Sequence, residues 1–334
     1  MRRALGAALL AAIAGSCAAA GDEPERSSNA RPPTTAAPTT TAPTPVTAAP
    51  PTTTASGVDL CPYRGTGTWV DVYDHVPAFA ERGRVSPVGP DAVASMADYG
   101  VHTLYLQVAK DDPRSPGVIT DEVQAADFLR RAHDAGIKVV AWYLPTHRDH
   151  ELDVQRAIAL ARFEVEGERF DGVALDIEGT QAITDIAERN RRLLDLAARL
   201  DAAAGDVPLG AIVYPPVAFD VLNPTLWPDF PWSELTTYFD VWLPMVYWTF
   251  RDPASGYRDA YRYTVENVQR LRDHVGDPTA PVHVIGGIGD ETTDADLEGF
   301  NRAVAETGAI GSSIYDFDTL PPAAWPLLRT PSPC

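Results

Sequence analysis

The stretch "FDGVALDIEG", Phe170 to Gly179, decides the fold. Val173, Ala174, Leu175 and Ile177 form a short apolar run bounded by glycines, which reads as a buried strand. The same ten residues carry Asp171, Asp176 and Glu178. An unpaired buried charge is costly. The strand therefore has to end where a fold opens to solvent. Side chains alternate along a strand, so Val173, Leu175 and Ile177 share one side, and Ala174, Asp176 and Glu178 share the other. A parallel barrel offers both environments, with helices outside the strands and an open mouth at their C-terminal ends.

Working outward, strand-like and helix-like segments alternate. The strand candidates are Thr68–Tyr73, His102–Val108, Lys138–Leu144, Gly172–Ile177, Leu209–Tyr214, Val241–Trp248, Val282–Gly286 and Gly311–Tyr315. Helical patterns lie between them at Asp121–Ala135, Thr184–Leu200, Arg258–His274 and Ala295–Glu306. In the first, Val123, Ala126, Leu129 and Ala132 recur every third residue and are expected to face the core. Gly100, Gly136, Gly205, Gly276 and Gly308 each follow a helical pattern and precede a strand, where a positive φ closes a helix. Eight strands with crossover helices predict a (β/α)8 TIM barrel. A doubly wound sheet is disfavoured, because "RGTGTW" precedes the first strand and no helix opens after it.

The barrel is expected over residues 58–334. Residues 1–17 read as an export signal, with a basic start at Arg2-Arg3 and an apolar run from Leu5 to Gly15. Ala14-Gly15-Ser16-Cys17 resembles a bacterial lipobox, which would make Cys17 the lipidated residue. Residues 18–57 are a Pro-, Thr- and Ala-rich linker with too few apolar side chains for a core. In polyproline II, at about 3 Å per residue, it would reach on the order of 100 Å. These features predict an extracytoplasmic monomer that meets a membrane only through its lipid, or a secreted one if Cys17 is not lipidated. In an oxidising compartment the other two cysteines, Cys61 and Cys334, are expected to pair. The net charge of −19 argues against nucleic-acid phosphates as a partner. No cofactor is expected. No metal is expected either, since H-E-x-x-H and paired-Cys spacings are absent from the sequence. His283, inside the seventh strand, reads as a core residue.

In such a barrel the chemistry belongs to the strand ends. Acids and aromatics gather there: Asp71, Tyr105, Gln107, Trp142, Tyr214, Met245, Trp248, Tyr315 and Asp316 are the candidate substrate-binding residues. Aromatic faces stack on sugar rings and carboxylates bind hydroxyls, so the set points to a carbohydrate ligand. Asp176 and Glu178, two apart on one strand, would have Cα atoms about 6–7 Å apart. Two close carboxylates raise one pKa, which keeps a proton available near neutral pH. A glycosidic oxygen needs such a donor. A second acid would come from another strand, with Asp71, Asp74, Asp290 and Asp316 as candidates, or the substrate would supply the second group. The competing view is a structural pair bound to Lys110, His147 or a metal.

"DGVALDIE" is similar to the strand-4 D-G-x-D-x-D-x-E signature of glycoside hydrolase family 18, the chitinases and related endoglycosidases. "PMVYW" resembles that family's strand-6 segment, and "GSSIYDFD" its strand-8 segment. The resemblance implies Glu178 as acid/base, Asp176 as the residue orienting a substrate N-acetyl group, and Tyr247 as its hydrogen-bond partner. The chain departs from the pattern at three places: Ala174 stands for the middle Asp, Trp248 for the Asp after the Tyr, and Tyr315 for a Trp. Two readings follow. The first is an exported glycoside hydrolase acting on an envelope or environmental glycan. The second is a glycan-binding lipoprotein on the same barrel without catalysis.

Overall fold

The computed structural model describes residues 57–80, 85–328, 330–332 and 334. The export signal, Cys17 and nearly all of the linker lie outside the described residues. Among those described, no helix is long and apolar enough to cross a membrane.

In chain order the elements are β1 Gly65–Val70, α1 Val72–His75, α2 Ala92–Asp98, β2 Thr103–Gln107, α3 Glu122–Asp134, β3 Lys138–Tyr143, α4 His150–Ala161, β4 Gly172–Ile177, α5 Ile186–Ala204, β5 Leu209–Val213, α6 Trp232–Leu235, β6 Val241–Pro244, α7 Ala260–Val275, β7 His283–Ile288, α8 Asp294–Thr307 and β8 Gly311–Tyr315. The strands form one sheet in the order β6-β5-β4-β3-β2-β1-β8-β7, with every strand pairing parallel. Parallel bridges Trp242–Val282 and Met245–Ile285 join β6 to β7 and close the barrel. The expected (β/α)8 barrel is what the chain forms.

Two strands end earlier than their apolar content suggests. β1 stops at Val70 because the Asp71 carboxylate accepts from the N–H groups of Tyr73 and Asp74 and starts α1. β6 stops at Pro244, and the next residues wind through tight turns in which Tyr247 N–H donates to Met245 O and Trp248 N–H to Val246 O. The face predicted for α3 is also corrected. Its buried residues are Ala125, Phe128, Leu129 and Ala132, while Val123 is 81% exposed. A strict three-residue spacing drifts around a helix of 3.6 residues per turn, so Val123 leaves the core stripe. The five glycines behave as expected, with φ between 64° and 77°.

Tyr63 plugs the barrel's floor. Its hydroxyl hydrogen-bonds the Val173 carbonyl at 2.7 Å and lies 3.1 Å from that of Pro208. Gly172 and Gly210 make room for the ring, since a Cβ at either would lie 3.1 Å or 2.8 Å from it. Above it, His283 is fully buried, and burial holds its imidazole down to about 4. The hydrogen bonds fix its tautomer. The Tyr63 carbonyl, 2.9 Å from His283 Nδ1, only accepts, which places the proton on Nδ1. Ser313 Oγ, which takes the Trp69 Nε1–H at 2.8 Å, then donates its own proton to His283 Nε2 at 3.0 Å. A column of rings thus rises from the floor to the mouth, with Tyr105 stacked on Trp69 at 4.2 Å. The Cys61–Cys334 disulfide, with Cα atoms 5.8 Å apart, joins the two ends of the domain across 273 residues.

Candidate active site

β4 carries Asp176, and Glu178 just beyond it, to the mouth. Its neighbours in register pair Trp142 with Ala174 and Ile212 with Asp176. Asp176 and Glu178 are 6% and 8% exposed. Asp176 Oδ1 and Glu178 Oε2 have no hydrogen-bond partner, and neither does the buried indole N–H of Trp142. Burial and the nearby Glu178 push Asp176 well above the carboxylate range, while Lys110 pulls the other way. Burial raises Glu178 to about 7, again against Lys110. Two raised acids facing one lysine hold a proton at neutral pH.

The polypeptide is tightly fitted here. A Cβ on Gly179 would lie 2.5 Å from the Pro145 carbonyl oxygen, a backbone atom that cannot swing aside. Gly179→Ala is therefore expected to destabilise the domain by about 1–3 kcal/mol, the usual cost of overpacking. A melting temperature equal to the parent's would contradict this fit.

Tyr247 and Tyr315 connect this pair to a second acidic group. The Tyr247 phenol is pushed up by burial and then by Asp176, Glu178 and Asp316. Its ring lies 6.1 Å from that of Tyr315. The Tyr315 hydroxyl donates to Asp71 Oδ2 at 2.7 Å. Asp71, Asp74 and Asp316 bring carboxylate oxygens within 4.8 Å of one another, close enough to share a cation. Burial and its two acidic neighbours raise Asp74 to about 9, and burial with Asp71 raises Asp316 to about 7. In the sheet order, β8 stands four strands from β4 in either direction around the barrel. Asp316, just after β8, therefore faces Glu178 across the mouth.

The mouth thus gathers Asp71, Asp176, Glu178, Tyr247, Tyr315 and Asp316 from the predicted set. Trp142 joins them, with its ring 5.7 Å from Trp69. Tyr214 backs β4, its hydroxyl donating to the Glu178 carbonyl at 3.2 Å. Four other expected residues serve the framework. Tyr105 is fully buried beneath Trp69. Gln107 Oε1 accepts from Val72 N–H at 3.1 Å, at the start of α1. Met245 sits in the β6–β7 bridge. Trp248 is fully buried between the barrel and α8, 5.1 Å from Phe300 and against Gly286 and Gly287. The turns after Pro244 send Tyr247 and Trp248 to different sides, so Trp248 is a packing residue and not a sugar platform.

His147 is engaged elsewhere: its backbone N–H donates to Asp153 Oδ2 at 2.7 Å, and burial holds its ring down to about 4. Asp290 is exposed on the turn after β7. Asp74, expected only as one of several possible second acids, completes the acidic trio. Trp69, left out of the candidate binding set, carries the aromatic column.

No family model matches the chain, and no curated protein matches it. Solved structures do resemble it. An endo-1,4-β-D-mannanase from Thermotoga petrophila RKU-1 aligns over 76% of this chain and 88% of its own, at 12% identity and TM-score 0.53. The C-terminal domain of a candidate chitinase from Desulfitobacterium hafniense DCB-2 aligns over 80% and 98%, at 10% identity and TM-score 0.55. The spore cortex-lytic enzyme SleL of Bacillus megaterium QM B1551 aligns over 79% and 73%, at 8% identity and TM-score 0.52. At these identities the likeness speaks for the fold alone, a TIM barrel.

Proposed function

We propose that this domain hydrolyses glycosidic bonds in an extracytoplasmic glycan, with Glu178 as the proton donor and a lipid on Cys17 holding the chain to a membrane. The observation that carries the reading is the state of Glu178. It is 8% exposed at a barrel mouth, Oε2 has no partner, and burial raises its carboxyl to about 7. A carboxylic acid poised in that range is suited to protonate a leaving glycosidic oxygen. Asp176, raised further in direction by Glu178 itself, keeps the pair singly charged. Tyr247, whose phenol burial keeps protonated, is a neutral donor for a sugar oxygen. Because Asp176 and Glu178 share one strand, they do not flank a sugar between them. The attacking group approaches from the β8 side, where Asp316 and Asp71 stand.

The test is the pH dependence of reducing-end release by the purified domain. The donor works in its protonated form, so kcat/KM is expected to fall as pH rises through about 7. A profile that stays flat from pH 6 to 8 removes Glu178 from that role.

A further inference from the structure

The mouth has far more acidic than basic groups. Asp71, Asp74, Asp176, Glu178 and Asp316 meet there, and the one cation acting on Asp176 and Glu178 is Lys110. Among the described residues no lysine, arginine or histidine forms an ion pair with Asp71, Asp74 or Asp316. The influences acting on Asp316 are burial, Asp71 and Asp318, opposed only by hydrogen bonds from Thr319. Those acting on Asp74 are likewise burial and other acids, opposed by one backbone hydrogen bond.

An acidic trio alone would be an ordinary solvated patch. Here a separate observation marks the same mouth as a ligand site. Asp176 Oδ1 and Glu178 Oε2, on side chains more than nine-tenths buried, have acceptor capacity that nothing in the protein uses. The two acidic groups open on one mouth: β4 and β8 face each other across the barrel, and Tyr247, 6.1 Å from the ring of Tyr315, whose hydroxyl bonds Asp71, lies between them. Trp69, Tyr315 and Trp142 supply ring faces beside it.

We propose that the glycan carries free ammonium groups, as a polymer of de-N-acetylated hexosamine does, and that Asp71, Asp74 and Asp316 hold one sugar ammonium. This rests on the reading of Glu178 as the donor of a glycoside hydrolase. The geometry suits the chemistry. An ammonium presents three N–H donors. Three oxygens all within 4.8 Å of one another leave room for a nitrogen about 2.8 Å from each, the length of a charge-assisted hydrogen bond. An acetamide is neutral and leaves the repulsion among these acids unrelieved. The Asp71–Tyr315 hydrogen bond and the Thr319 N–H bond to Asp316 Oδ1, at 2.9 Å, hold two of the three carboxylates in place for this contact. The departure at Ala174, which removes an acid from the interior of β4, leaves the trio untouched.

The experiment measures binding by calorimetry to the EDTA-treated Glu178→Gln protein, which prevents turnover and removes adventitious metal. The probes are glucosamine and galactosamine oligomers, each in free-amine and fully N-acetylated form. At least one free-amine oligomer is expected to bind ten-fold or more tighter than its N-acetylated partner. Raising salt should weaken that preference, and Asp316→Asn or Asp74→Asn should remove most of it. Two variants are used so that misfolding of either one does not decide the result. Equal affinity, a preference for the N-acetylated form, or no binding of any free-amine oligomer overturns the proposal.

Hydrolysis by the parent protein separates the two readings. Cleavage of N-acetylated oligomers that Glu178→Gln abolishes keeps the hydrolase and defeats the ammonium site. Trio-dependent binding of free-amine oligomers that the parent never cleaves does the reverse.

Discussion

Glu178→Gln is expected to lower kcat/KM by about 10³-fold, the range that loss of a general acid produces. The substitution keeps the side chain's length and shape, and it removes the transferable proton. It also removes one member of a buried pair whose charges oppose each other, since Glu178 raises Asp176. The folded state should therefore melt within a few degrees of the parent or slightly above it. The Tyr214 hydroxyl bonds the Glu178 backbone carbonyl, so the strand end stays anchored whatever the side chain. A variant that releases reducing ends as fast as the parent would defeat the assignment. A parent that binds glycan, releases nothing and loses no affinity on substitution would instead select the non-catalytic reading, in which the same mouth is a binding surface.

The second large effect is on stability, in the window from pH 6.5 to 9. Burial holds Asp74 up to about 9 in the folded state. The unfolded chain loses that proton near 4. Between these values the folded state binds more protons, so stability falls as pH rises. Asp176 acts in the same direction. So does His133, which Asp171 above all holds above its ordinary value. Below pH 6.5 an opposite contribution enters. His75, His147 and His283 are buried and lowered, so the unfolded chain takes up their protons and stability rises with pH. The two trends oppose each other from about 4 to 6.5, and only the decline remains above. One pKa unit corresponds to about 1.4 kcal/mol, so Asp74 alone contributes a loss on the order of 2 kcal/mol across this window after allowance for its partial exposure. Chemical denaturation at pH 6.5 and 9 measures the difference. Asp74→Asn keeps an acceptor for the Asp71 N–H and should flatten the slope. A parent as stable at pH 9 as at 6.5, or a variant with an unchanged slope, refutes the argument.

The barrel was legible because its signals are local. β4 and β8 fall where the alternation of apolar residues placed them, and five glycines mark the helix ends by a backbone preference that acts residue by residue. The buried acidic pair was legible for the same reason: Asp176 and Glu178 break an otherwise apolar strand. What the sequence concealed depends on neighbours far apart in the chain. Trp248 sits one residue after Tyr247, yet two tight turns send it to the outer layer against Phe300. Gln107 looks like a sugar ligand and instead caps α1 through Val72. α4 at His150–Ala161 passed unmarked because its stripe mixes Asp153 and Arg156 with Val154, Ala157 and Leu160 in the buried set. The acidic trio joins residues from β1's end and β8's end, up to 245 positions apart (71 to 316) and adjacent only once the sheet closes.

The disulfide acquires a mechanical meaning from its neighbour in sequence. Cys61 is bonded to Cys334, and Tyr63, two residues on, is hydrogen-bonded to the strand carbonyls of the floor. A pull on the segment before Gly57 would pass at once into that floor and into both termini of the domain together. The barrel would bear such a load as a closed ring, with no free end from which to unzip. Cys61 and Tyr63 sit at the opposite end of the barrel from the mouth, so strain applied there leaves the acids after β4 and β8 in register.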